Sequence, residues 1–312
     1  MTDTPEAVSR PARAGGEEPS PRRRRQKGAR GSLLSRHGGL RTFLLLVPPM
    51  AWLGVAYLTA LGALFITSFW SQDDFTGQIV RVFTLENYQT IWDVSVYHTI
   101  TFRTIGLAAA VTVTDAILAF PIALYMAKVA SPRGRRLMVI SVLMPLWASY
   151  LVKAYAWRGM FSAGGPLDWF LQPFGLQSPG YGLTATAITL AYLWLPYMIL
   201  PIFAGLERVP DSLFEASNDL GAGSWTTLRR IVLPMAFPAV VAGSIFTFSL
   251  SLGDYIAVQI VGGPTQLLGN VIYANVGAAN NLPFAAALAT IPVAVMLLYL
   301  TAVRRTGALE SL

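Results

Sequence analysis

Two carboxylates stand where carboxylates are costly. Asp115, in AVTVTDAILAF, and Asp254, in SLSLGDYIAV, each lie inside a long apolar run. A charge so placed normally faces protein or water and marks a route for an ion, a proton or a solute. Lys153, in another apolar run and at a depth comparable to that of Asp254, offers it a structural ion pair as the alternative. Aromatic residues gather nearby. Trp147, Tyr150 and Trp194 lie deep enough in their runs to meet a passing cation with the negative faces of their rings. Tyr155 and Trp157 stand at interface depth, where such residues collect whatever the function. The candidate residues of a solute path are therefore Asp115, Asp254, Trp147, Tyr150 and Trp194. A third acidic group differs in kind. Asp211, Glu215 and Asp219 are spaced four apart in a polar stretch, so on a helix they form one stripe whose like charges repel unless a cationic surface lies opposite. That is a docking pattern, not a catalytic one.

Other chemistry is excluded by composition. The chain has no cysteine, which removes disulfides, thiolate metal sites and cysteine nucleophiles, and its two histidines, His37 and His98, make a histidine metal site improbable. No G-x-x-x-x-G-K-[ST] phosphate loop occurs, so the chain is not expected to hydrolyse ATP, and no enzyme constellation, cofactor or metal is expected. Ten of the 23 Lys and Arg fall in residues 1–42; the net charge of +7 thus marks one side of a membrane and not a nucleic-acid face.

The elements that must position these residues are apolar helices. Of 312 residues 54% are hydrophobic and only 12% charged, the balance of an all-α membrane protein. Residues 1–40, rich in Pro, Gly, Ser and Arg, read as a disordered basic tail. Residues 41–305 form the transmembrane domain, and residues 306–312 a short tail. The run Phe43 to Phe69 holds 27 residues without a charge, too long for a cleaved leader and long enough to span. Six spans are expected, at about 43–69, 105–127, 137–157, 183–206, 236–261 and 284–303. Lys128, Arg133, Arg135 and Arg136 follow the second, Arg208, Arg229 and Arg230 the fourth, and Arg304 and Arg305 the sixth, while the alternate loops are nearly free of basic charge. The positive-inside rule then places both termini and the loop 206–234 in the cytoplasm. The segment from Trp70 to Tyr97, with Asp73, Asp74, Glu86 and Asp93, becomes an outer element on which a soluble protein can dock.

Within the loop 206–234, apolar or small residues at Val209, Leu213, Ala216, Ser217 and Leu220 follow helical spacing, Pro210 suits a first turn, and Gly221 suits the left-handed residue that stops a helix. Ser224 is placed to cap a second short helix carrying Arg229 and Arg230 and ending at Pro234. Glu215-Ala216-Ser217, then Gly221, then Ile231-Val232-Leu233-Pro234 resemble the EAA loop of permease subunits of binding-protein-dependent ABC importers: E-A-A, three residues, G, nine residues, I-x-L-P. Ser217 departs from the second alanine of that pattern but is still small.

The resemblance implies a type I importer permease fold of six transmembrane helices, and a coupling helix through which Asp211, Glu215, Ala216, Ser217, Asp219 and Gly221 meet a separate ATPase. It further implies a second homologous permease subunit, two ATP-binding subunits, an extracytoplasmic solute-binding protein and surrounding membrane lipid, with no nucleic acid. It covers about residues 43–305. Within the family, FTLENY (83–88), MPLWASYLVKAYAW (144–157) and LLGNVIYANVGAANNLPFAAA (267–287) are most similar to the spermidine/putrescine type, implying a polyamine cargo. The competing readings are the same machine carrying iron(III), an oxyanion or an opine-like compound, an ATPase-independent channel or secondary carrier, and a membrane scaffold.

Overall fold

The computed structural model describes residues 38–73 and 75–305, with side chains placed at 45–73 and 75–304. The expected basic tail (residues 1–37 of it), the tail 306–312 and Asp74 lie outside the described residues. The chain divides into two units between Leu58 and Thr59. Helix α1 (Gly38–Thr67) supplies all that is described of the first unit and continues into the second. There follow a two-stranded hairpin, β1 (Ser71–Gln72) with β2 (Ile79–Val80), a short α2 (Glu86–Asp93), and α3 (Ser95–Leu124), which runs into a π-helical turn at Tyr125–Val129. Next come α4 (Pro132–Trp147), α5 (Tyr150–Phe161), α6 (Pro166–Leu171) and α7 (Leu183–Glu207). The loop after α7 holds α8 (Asp211–Asp219) and α9 (Ser224–Thr227), and a second π-helical turn at Leu228–Val232 leads into α10 (Leu233–Leu252). The chain closes with α11 (Ile256–Val261), α12 (Leu268–Val276) and α13 (Leu282–Arg305).

Helices α3, α7 and α10 pack together as the core of the second unit. Small residues let them approach: a side chain at Gly205 would strike the Ala239 methyl, and one at Gly243 would meet Met198 Sδ at 2.7 Å. One buried cluster joins Ala119, Ala123 and Met126 to Met198, Ile202, Leu206 and Val232, and another joins Leu107 and Val111 to Leu190, Leu193 and Leu267. Among the described residues five helical runs are long and apolar enough to cross a membrane, and the pair α4 and α5 makes a sixth if taken as one span.

Three expected boundaries change. The helix that holds the second expected span begins ten residues before it, at Ser95. The third is not a straight rod: α4 and α5 meet at a 94° bend, because Ala148 (ψ 141°) and Ser149 (ψ 137°) are both extended. The fifth ends at Leu252, where Gly253, Asp254 and Tyr255 interrupt it before α11. Asp254 accordingly lies in a break and not within a continuous helix.

Candidate functional site

The acidic stripe lies on a true short helix. Three bonds finish α8 at its C-terminus: Leu220 N–H to Ala216 O (3.1 Å), Gly221 N–H to Asn218 O (2.9 Å) and Ala222 N–H to Ser217 O (3.0 Å). With Gly221 at φ +74°, this is the Schellman stop expected of that glycine. Leu220, at the cap itself, is 87% exposed and does not share the buried side of Val209 and Ser217. Ser224 is not a cap: Gly223 occupies that place, no side chain caps the turn, and α9 runs through the π turn into α10, so Arg229 and Arg230 belong to the root of a long helix. Buried Ser217 bonds the Thr227 hydroxyl at 2.7 Å and ties α8 to α9, a role an alanine lacks. Its place in the sequence gave no sign of this, since the partner lies across the turn.

Asp211 answers its need for a cation within the chain. Lys128 Nζ donates to Asp211 Oδ1 at 2.7 Å and to the Val209 carbonyl at 2.6 Å, and it lies 5.4 Å from the centre of the Phe214 ring. This hydrogen bond, then the lysine charge, holds the Asp211 carboxyl below the usual carboxylate range. Glu215 and Asp219 remain exposed, with Ala216 and Leu220 beside them and Trp225, 70% exposed, on α9. A groove of about 440 Å³ lined by Leu124, Phe214, Glu215, Asn218, Thr227 and Leu228 adjoins them. The loop thus presents an apolar patch edged by two unpaired carboxylates.

The break after α10 gathers the second set. Asp254, one residue before the N-cap Tyr255 of α11, accepts from Ala257 N–H at 2.9 Å, and its other oxygen accepts from the Tyr150 hydroxyl. The bend between α4 and α5 puts Tyr150 in the first turn of α5, and its ring lies 5.9 Å from Trp194, itself 5.9 Å from Tyr197. Beside them Tyr255 stacks on Tyr273 with ring centres 4.8 Å apart. Gly269 permits this closeness, since a side chain there would strike the Asp254 carbonyl. Asp254, Tyr150 and Trp194 are brought together. The alternative of an ion pair between Lys153 and Asp254 is not found among the described residues; the Tyr150 hydroxyl and Ala257 N–H meet the carboxylate instead. Trp147, 88% exposed at the end of α4, stands apart from this cluster.

Asp115 is placed elsewhere. It is fully buried in α3, between the two core clusters, and neither oxygen has a hydrogen-bond partner; Thr189 Oγ1, Trp194 Nε1 and Ser251 Oγ are buried without one as well. No group of three or more metal-ligating side chains occurs among the described residues.

Residues 109–306 match the family described as binding-protein-dependent transport system inner membrane component. The inner membrane ABC transporter permease protein YdcU of Escherichia coli (strain K12) is 43% identical over 289 residues, covering 88% of this chain and 92% of that protein. The spermidine/putrescine transport system permease protein PotB of Haemophilus influenzae is 28% identical over 250 residues, covering 78% and 82%. Among solved structures, a chain of a bacterial alginate ABC transporter in complex with an alginate pentasaccharide-bound periplasmic protein superposes with a TM-score of 0.67 at 14% identity, covering 89% of this chain and 96% of that one. A mostly helical fold of apolar spans, a polar loop with an E-A-S-x-x-x-G stop, and a likeness to permeases over most of the chain converge: this chain belongs to the binding-protein-dependent transport system inner membrane components, as a permease subunit of an ABC importer whose ATPase is a separate subunit.

Proposed function

We propose that this permease carries a polyamine and that Asp254, Tyr150 and Trp194 form the cation-sensing part of its path. The observation that supports the reading is the break at Gly253–Tyr255, which sets a carboxylate, a phenol and an indole against one another where two apolar helices are interrupted. An ammonium group leaving water needs replacement ligands, and carboxylates and ring faces supply them. The likeness to a spermidine/putrescine permease supports the same cargo. Asp115 is the second candidate, reached when α3, α7 and α10 shift. On the opposite side α8 is the coupling helix. Its exposed Glu215 and Asp219 face basic residues of the ATPase, Leu220 and Trp225 fill an apolar cleft between them, and Asp211 and Gly221 hold the helix in place. Both termini are cytoplasmic, with Arg158 to Leu183 and Val261 to Phe284 outside.

The test is uptake of labelled putrescine and spermidine into vesicles holding the complete transporter, with the ligand of the co-encoded binding protein identified by mass spectrometry. Polyamine in the binding protein and ATP-dependent uptake lost in Asp254→Asn support the reading. An iron complex, an oxyanion or an opine in that protein overturns the cargo, and uptake without ATPase subunits overturns the machine. Reporter fusions active only outside the cytoplasm test the topology: silence at Leu312 and activity near Gly175 are expected.

A further inference from the structure

The two ion pairs found among the described residues lie at one joint. Lys128 to Asp211 (2.7 Å) links the π turn after α3 to α8, and Arg135 to Glu207 (3.1 Å) links the start of α4 to the end of α7. The joint is built from backbone as well as charge. Arg135, on α4, donates from Nε to Met126 O at 3.0 Å and from Nη2 to Ala127 O at 2.8 Å, gripping the carbonyls of the π turn that ends α3. Lys128 leaves that same turn, donates to Val209 O at 2.6 Å, and reaches the first residue of α8. Its side chain is 13% exposed while that of Asp211 is 83% exposed, so the lysine is held within the packed helices and the aspartate lies on the exposed surface of α8. The π turn matters because its extra residue rotates the later part of the chain by about a quarter-turn or more relative to an unbroken helix, and Lys128 falls within it.

From this geometry we propose that Lys128 is the positioning residue that passes movement of α8 to α3 and α4, so that the coupling helix drives the membrane helices through the α3–α4 turn as well as through its own chain connections to α7 and α10. Ser217 on Thr227 ties α8 to α9, and Phe214 rests on the core cluster by apolar contact, which resists sliding little. Lys128 adds the directional tie to α3 by holding both the carbonyl that precedes the helix and the carboxylate at its start, while Arg135 ties the same turn to α4. The inference rests on the reading of α8 as the coupling helix.

The test uses the complete transporter in vesicles, with a single cysteine at Tyr273, half-exposed on the outer side, in a chain that has no other cysteine. The reading is the change in its labelling rate by an impermeant maleimide when ATP and vanadate are added, alongside ATP hydrolysis without vanadate. Lys128→Met should keep ATP hydrolysis while shrinking the nucleotide-driven change at least fivefold. Lys128→Arg should restore at least half of it. Asp211→Asn should lose about half, since the bond to Val209 O survives. A full response in Lys128→Met overturns the proposal. If that variant does not assemble, Asp211→Asn decides, because its exposed site does not threaten folding, and an unchanged response there overturns it. Glu215→Lys separates the two readings: a wild-type response in Glu215→Lys removes the coupling helix itself, whereas loss there with a full response in the Lys128 variants removes only the positioning role.

Discussion

The two ends of this permease hold carboxylates by different means. At the coupling joint Asp211 and Glu207 meet full cations, Lys128 and Arg135, at partly exposed positions. At the break after α10 Asp254, only 8% exposed, meets a phenol and a backbone N–H. The difference follows from solvent. Beside water an ion pair costs little desolvation and makes little net stability, so it serves to fix geometry. Inside apolar surroundings a second full charge adds its own desolvation cost, and neutral donors satisfy the carboxylate without it. Under the proposed function the joint transmits position, and the break holds a negative group for an incoming cation.

The largest effects are expected at the exposed end, where folding is least at stake. Glu215→Lys should reduce transport per complex at least tenfold with normal membrane yield, because Glu215 is exposed and has no ion pair among the described residues. Gly221→Val should match it for another reason: no neighbour lies within 4 Å of a side chain there, so the penalty comes only from forcing φ +74° on a β-branched residue, about 1–2 kcal/mol or more. ATPase co-purification and uptake check both. Wild-type transport in the two variants would reduce α8 to a connector.

Next in size is the break. Tyr150→Phe removes one of the two donors to Asp254, and a hydrogen bond to a charged group contributes about 1.5–3 kcal/mol. Polyamine uptake per folded complex should fall severalfold in Tyr150→Phe and further in Asp254→Asn. The double change Asp254→Asn with Lys153→Gln should not restore yield or uptake, since the two do not pair. Restoration would break the contrast by returning a full ion pair to the buried end.

Asp115 sharpens it further. A buried carboxyl without a partner costs about 1–3 kcal/mol, so Asp115→Ala should raise the melting temperature of the detergent-solubilised complex by a few degrees while slowing uptake. Equal uptake together with lower stability would assign Asp115 to packing alone.

Much of this was legible in the chain. The helical fold follows from apolar run lengths, and the stop at Gly221 from a glycine at the end of a helical pattern. The illegible part lay between segments distant in sequence. Lys128 reads as one of several basic residues after a span, and only the π turn beside Val209 shows what it holds. Tyr150 and Lys153 are both near Asp254 in depth, and the 94° bend, which no composition signal marks, decides between them. Ser217 reads as a tolerated departure until Thr227 is seen beneath it. Ser217→Ala should cost about 1 kcal/mol of a hydrogen bond and less than a twofold loss of transport.

The smallest expected effect concerns acid. Asp73, in the exposed hairpin turn, accepts from Thr76 N–H at 2.7 Å, the Thr76 hydroxyl at 2.8 Å and Phe75 N–H at 3.0 Å. The Thr76 backbone bond foremost, then the hydroxyl and Phe75, hold its carboxyl below the ordinary aspartate range. Asp211 is held low as well, by Lys128. For a carboxylate whose folded value is depressed, the stabilisation is complete above the unfolded value, about 3.9, and fades as pH falls through the folded one. Neither the hairpin nor the coupling joint should therefore change between pH 7.5 and 5, and acid loss should begin only below pH 4. Phe75, 99% exposed at the tip of that turn, gives the reporter: a fluorinated phenylalanine there should keep one ¹⁹F shift from pH 7.5 to 5 and move only below pH 4. Asp73→Asn should remove most of that movement, since the amide cannot titrate and keeps an oxygen for the same donors. A shift centred near pH 6 would mean that another group controls the turn, and the likeness between these two exposed carboxylates would fail.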